Sequence, residues 1–334
     1  EGALTEVHSM LQRMNELATQ AANGTNSADD RSAIQDEVDQ LTTEIDRVAE
    51  TTKFNEIYLL KGDDSSTKNV YMKGHDAGLK GSLTDGAKTA TFMMDTLKEG
   101  DQYTIAGKEY TIGSAQGDLE ALIDKADKEL TAAAAGTKDV EIDGKKYTLT
   151  YKAGGNTIAD ADGNAVADLA TLKGKIAAGS KVTYGNTTLT AMNDVNGDGV
   201  DDDDDSIITT AVAKSKIKAE LVTANNIGTT DHAATVADGV DDAAGKTSYT
   251  ITKGYATVAN TLSFNLHVGA DADMTNKINV SIDTMNSSNL GIKNLNVTDG
   301  TGTAATYAID AIADAVSKVS SQRSALGAVQ NRLE

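Results

Sequence analysis

Apolar residues recur at alternating three- and four-residue spacing at both ends of this chain, and that pattern limits the folds open to it. Leu4, Val7, Leu11, Met14, Ala18 and Ala21 form one narrow stripe. Ile34, Val38, Leu41, Ile45 and Val48 form a second. Ile309, Ile312, Val316, Val319 and Leu326 form a third within 305–332, interrupted at Arg323. Such stripes predict helices that are polar elsewhere and cannot bury themselves alone. The two chain ends are therefore expected to meet as an antiparallel bundle, with everything between them inserted. Asn23-Gly24 offers a left-handed helix stop, and Ser27-Ala28-Asp29-Asp30 resembles a capping box. Proline is absent, so nothing breaks the long helices.

Composition narrows the function classes. There is no Cys or Trp and there are only three Phe, so cores rest on aliphatic residues, and disulfides and thiolate metal sites are excluded. A formal net charge of −20 argues against nucleic acid and anionic membranes as partners. No apolar run approaches the ~18 residues a membrane span requires. Neither an initiator Met nor a signal pattern opens the chain, which reads as truncated or processed.

The middle is rich in Gly, Asp, Thr and Ala. Gly107-Lys108-Glu109-Tyr110-Thr111-Ile112 recurs as Gly144-Lys145-Lys146-Tyr147-Thr148-Leu149, and more faintly as Gly185-Asn186-Thr187-Thr188-Leu189. Each follows a β-type run and precedes a helical stretch, at 117–130, 166–178 and 206–221. The pattern predicts a hairpin-plus-helix unit repeated three times. Short strands are also expected near 51–60, over 261–268 and over 277–282, with His267 a packing residue in its strand.

No catalytic constellation is visible: the four His are scattered, and nucleophile-elbow, phosphate-loop and zinc-protease motifs are absent. This is not the pattern of an enzyme. One segment has metal-ligand spacing. Asp194, Asn196, Asp198, the carbonyl of Val200, and Asp205 fall at positions 1, 3, 5, 7 and 12 of a calcium loop, with Gly199 at the turn. The alternative is a plain acidic loop, since position 8 is Asp201 rather than an aliphatic residue. Calcium is the one candidate cofactor.

The run Leu11-Gln12-Arg13-Met14-Asn15-Glu16-Leu17-Ala18-Thr19-Gln20-Ala21-Ala22-Asn23-Gly24-Thr25, with Ile34-Gln35-Asp36-Glu37, Glu44-Ile45-Asp46-Arg47-Val48 and Thr52-Lys53-Phe54-Asn55, resembles the N-terminal core of bacterial flagellin. Leu290-Gly291-Ile292 and Gln322-Arg323-Ser324-Ala325-Leu326-Gly327-Ala328-Val329-Gln330-Asn331-Arg332-Leu333 resemble its C-terminal core. The family usually has Gly after Phe-Asn; here Glu56 stands there.

The resemblance implies an α+β chain: an elongated coiled-coil bundle from both ends, with an inserted β-rich variable region containing short helices. Residues 1–61 and 261–334 would be the two parts of the core domain and 62–260 an outward-facing region. It implies a structural subunit of the flagellar filament, extracellular, partnered by other flagellin subunits and an export chaperone. It also implies that the family's outermost helices lie outside this stretch, so the chain alone would not polymerise. Rival readings are a coiled-coil surface adhesin, which needs an anchor, and a flagellar hook-junction protein, which shares similar ends; the block Gly327–Arg332 favours flagellin.

The resemblance further implies recognition by Toll-like receptor 5, through Arg13, Leu17 and Glu37 with Gln12, Glu16, Gln20 and Ile34 around them. At about 100° per residue, Leu17 lies roughly 90° and Arg13 about 130° from the centre of the first stripe, so both are expected to face outward.

Overall fold

The computed structural model describes residues 1–228, 231–268, 277–299 and 302–333. Its helices are α1 Gly2–Ala21, α2 Ala28–Thr51, α3 Gln116–Ala133, α4 Leu169–Lys173, α5 Thr210–Asn226, α6 Ser287–Leu290 and α7 Thr303–Leu333. Helices thus stand at both ends of the chain and a β-rich region lies between them. None of the described helices is long and apolar enough to cross a membrane.

All six residues of the first stripe are buried. In the second, Ile34, Val38, Ile45 and Val48 are buried and Leu41 is half-buried. The third stripe is carried differently. Ile312 and Val319 are buried, but so are Ala305, Ala308, Ala311 and Ala315, which let α7 approach α1 closely. The two run antiparallel. Glu1 Oε1 meets Arg323 Nε at 3.2 Å at one end. At the other, a Cβ added to Gly302 would come within 3.0 Å of the Ala22 carbonyl. Arg323 interrupts the stripe because its guanidinium turns out to Glu1.

The capping box at Ser27 forms: Ser27 Oγ accepts from Asp30 N at 3.1 Å, and Asp30 Oδ2 accepts from Ser27 N at 3.0 Å. The Ser27 hydroxyl also donates to Asp30 Oδ2 at 2.8 Å, and this bond, followed by that from Ser27 N, holds the Asp30 carboxyl below its ordinary range. The left-handed stop at Asn23-Gly24 does not form. Ala22 is right-handed, at φ −66°, and neither Asn23 nor Gly24 has positive φ. Arg31 replaces it. This buried side chain donates from Nε to the Ala21 carbonyl at 3.1 Å, satisfying a C-terminal acceptor that a glycine cap would otherwise cover.

Two compact units emerge. The first comprises Glu1–Met93, Ala219–Ala237 and Ser248–Glu334; the second comprises Met94–Lys218 and Asp238–Thr247. These limits cut across the 62–260 segment marked off by composition, since 62–93, 219–237 and 248–260 go with the first unit. In the first unit, strand Asp63–Tyr71 pairs antiparallel with Tyr255–Asn260, and Leu262–His267 with Lys277–Ile282. The latter alternation turns Leu262, Phe264 and Leu266 inward and exposes Ser263, Asn265 and His267. His267 is therefore a surface residue, not a packing one. Near 51–60 the chain forms a tiny hairpin, Lys53–Phe54 with Ile57–Tyr58. Its turn puts Asn55 at φ 46° and Glu56 at φ 67°, a left-handed conformation natural to the glycine that Glu56 replaces.

In the second unit a six-stranded antiparallel sheet runs in the order 165–166, 157–160, 145–150, 137–142, 181–184, 187–190. Helix α3 buries Leu119, Ile123, Ala126 and Leu130 against it. The three repeated segments do form hairpins, at 102–112, 137–150 and 181–190. The helices expected after the first and third form as α3 and α5, but the units are not equivalent. The first hairpin lies in a separate three-stranded sheet, and the helix expected over 166–178 is only the five-residue α4, capped at Asp168 and ended at Gly174.

Candidate functional site

Helix α1 packs against α2 on one side and α7 on the other. A helix between two partners buries a wider arc than a single seam. Leu17 consequently lies 2% exposed in the core beneath α1, and Ile34 lies 6% exposed beneath α2. The expectation that Leu17 faces outward is corrected on this ground.

What remains on the surface is a polar ridge. Gln12, Glu16 and Gln20 are exposed and follow one another at four-residue spacing on one face, with exposed Arg13 beside them. Arg13 Nε donates to Glu37 Oε1 on α2 at 2.7 Å, and its Nη1 to Glu16 Oε2 at 3.2 Å. These bonds, Glu37's first, raise the Arg13 pKa above its ordinary value. Exposed pairs of this kind add little stability, because solvent screens them. Their effect is to hold the guanidinium in one place while leaving its outer edge open. The structure thus brings Arg13, Glu16 and Glu37 into contact, keeps Gln12 and Gln20 on the same face, and sets Leu17 and Ile34 under it.

Two residues of the quoted signature tie the chain's halves together, which sequence reasoning did not assign. Gln35 Nε2 donates to the Leu295 carbonyl at 2.9 Å, and its Oε1 accepts from Val297 N at 2.8 Å. Asp46 accepts from Ser287 N at 2.7 Å and Ser287 Oγ at 2.8 Å. Their place among partly buried positions of an otherwise polar helix face was the available signal.

The acidic loop folds around its own backbone. Asp194 accepts from Gly197 N, Asp198 N and Gly199 N at 2.8–3.1 Å. Asn196 accepts from Asp198 N, and Asp198 from Val200 N. Asp201 is buried and accepts from Asn193, Asp203 and Asp204 N–H groups. Asp205, the expected twelfth-position ligand, pairs with Lys108 Nζ at 2.8 Å. Among the described residues no group of three or more His, Asp or Glu side chains is placed to hold a metal ion.

Comparison with known proteins bears on the helices at the N-terminal end. Residues 1–65 match the bacterial flagellin N-terminal helical region. A flagellin of Clostridium tyrobutyricum is 41% identical over 155 residues, covering 46% of this chain and 39% of that protein. A flagellin of Halalkalibacterium halodurans is 36% identical over 162 residues, covering 42% and 59%. A phase 2 flagellin of Salmonella typhimurium is 34% identical over 176 residues, covering 49% and 34%. The chain thus spans between about a third and three-fifths of the length of these relatives. Among solved structures, FliC from Burkholderia pseudomallei aligns over 99% of this chain and 96% of its own, with a TM-score of 0.33 and 19% identity. The flagellar junction protein FlgL from Legionella pneumophila gives 0.32 and 15%, over 100% and 89%.

Proposed function

We propose that this chain, a relative of bacterial flagellins, serves as part of a structural subunit of the flagellar filament rather than as an enzyme. In this reading the helices of the two chain ends form a coiled-coil shaft, residues 1–61 and 261–334 make up the core, and 62–260 face outward. Its partners are other flagellin subunits and an export chaperone, and it works outside the cell on the flagellum. The observation that carries the reading is the match of residues 1–65 to the flagellin N-terminal helical region. Restoring the natural gene to a flagellin-deficient bacterium should give filaments visible by electron microscopy; bare cells despite secretion of the protein would overturn the reading.

The finer part of the proposal is recognition by Toll-like receptor 5 through the ridge of α1. Arg13 is its anchor, since its ion pairs preorient an exposed guanidinium and Arg is among the side chains enriched at interface hot spots. Gln12, Glu16, Gln20 and Glu37 surround it, while Leu17 and Ile34 act from below by fixing the helix backbones. Surface binding to the receptor ectodomain tests this. Arg13→Ala should weaken binding about tenfold or more, as expected for a hot-spot residue. Equal binding by parent and variant, or none by the parent, refutes it.

A further inference from the structure

Beside helix α7 the first unit contains a cavity of about 610 Å3 whose lining includes Lys68, Lys73, Lys318, Asp283 and Asp314. Its three lysines are not equivalent. Lys68 Nζ lies 2.6 Å from Asp283 Oδ1 and 2.8 Å from Thr261 Oγ1. Lys73 Nζ lies 2.7 Å from Asp314 Oδ1. Both are paired with a carboxylate. Lys318 Nζ instead donates to the main-chain carbonyl of Asn289 at 2.6 Å, and among the described residues it has no carboxylate within ion-pairing distance. A carbonyl acceptor is satisfied by a neutral amine as well as by an ammonium. A carboxylate partner would have favoured the charged form.

The surroundings agree. Burial pushes the Lys318 ammonium down to about 8, and Lys73 and Lys253 push the same way, against the opposing pull of Asp314 and Asp283. His75 Nε2 lies 3.6 Å from Asp314 Oδ2, and Lys68 lines the same cavity as Lys318. A desolvated lysine near other cations is the standard form of an amine that condenses with carbonyl compounds.

We propose that Lys318 is a covalent modification site for small aldehydes, which enter this cavity and form an imine with its Nζ. The Nζ lone pair attacks the aldehyde carbon, and the carbonyl π pair moves to oxygen to give a carbinolamine. Nitrogen then re-forms a double bond to that carbon as the hydroxyl departs. The water released carries the former carbonyl oxygen and the two amine hydrogens, so no oxidant or reductant is consumed. The Asn289 carbonyl orients the amine at the start of the sequence.

The experiment treats the intact chain with acetaldehyde and cyanoborohydride, which traps the imine as an N-ethyl group, and maps the sites by peptide mass spectrometry across pH 6–10. At pH 7 Lys318 should be labelled about tenfold or more faster than Lys68 and Lys73, because a larger share of it is free amine. Its rate should level off near pH 8. Labelling of Lys318 no faster than that of Lys68 and Lys73, or a Lys318 rate that rises through pH 10 without a plateau, overturns the proposal.

Discussion

Glu56 shows how one residue can carry a local cost that its neighbours tolerate. At φ 67° in the turn of the Lys53–Tyr58 hairpin it occupies a region disfavoured for side chains with a Cβ. Glu56→Gly relieves that strain but frees the unfolded chain, so the expected net gain is about 0.5–1 kcal/mol in urea unfolding. Lys318 carries the opposite signature, a pH dependence. Its folded pKa, about 8, lies below the ordinary lysine value, so the unfolded chain binds the extra proton between them. The penalty is complete below pH 8 and disappears as pH rises to about 10.4, where both states are neutral. Stability of the native chain should therefore climb through that window, whereas Lys318→Met should be flatter there and more stable at pH 7. If the acidic loop takes calcium, the ion has to displace Lys108 from Asp205. Lys108→Ala should therefore tighten calcium binding several-fold in calorimetry, through removal of one opposing charge. No heat from either protein at millimolar calcium returns the segment to a plain acidic loop.

Helix ends and turns divide what was legible in the sequence from what was not. The capping box at Ser27 was legible because both partners lie within one turn. The end of α1 was not, because its acceptor is satisfied by Arg31, ten residues away across a helix junction. Arg31→Met should cost about 1–3 kcal/mol, since it leaves the Ala21 carbonyl without a donor, while Ser27→Ala should cost about 1 kcal/mol. Equal and small losses in the two variants would show that water caps α1 instead. The three stripes were readable because large aliphatic side chains advertise a face. The alanines of α7 were not, since Ala suits a surface as well as a core. Leu17 was misread for a related reason: the stripe shows one seam, and only the packing of α1 against both α2 and α7 reveals how wide the covered arc is. Of the candidate ridge, the outward face of Arg13 followed from the helical period and Gln12, Glu16 and Gln20 from the family resemblance, but the Arg13–Glu37 bond is a tertiary fact that no spacing encodes. The hairpins at 102–112, 137–150 and 181–190 were visible through their turn glycines, whereas sheet membership, which separates the first from the other two, depends on long-range pairing.

Across the whole chain, the first unit is assembled from three separate stretches and the second mainly from one continuous stretch, Met94–Lys218. Each has its own apolar core. Leu11, Met14, Ile45 and Val319 belong to the first; Leu119, Ile123, Leu149 and Val182 belong to the second. Leu11 and Ile123 are both fully buried, so truncation to Ala should cost a similar amount, about 2–5 kcal/mol each. Where that loss appears is the informative quantity. Two cores with no residue in common predict two calorimetric transitions. Leu11→Ala should lower one by several degrees and leave the other in place, and Ile123→Ala should do the reverse. The contact pattern predicts kinetics as well. Closing the first unit requires Glu1 to meet Arg323, and Gln35 to meet Leu295, across most of the chain, whereas α3 and its sheet close over far shorter loops. Loop-closure entropy then makes the second unit the faster to refold. Stopped-flow refolding of the two variants should assign the fast phase to the transition that Ile123→Ala perturbs. A single transition shifted equally by both substitutions would instead mean that the two cores melt as one cooperative body.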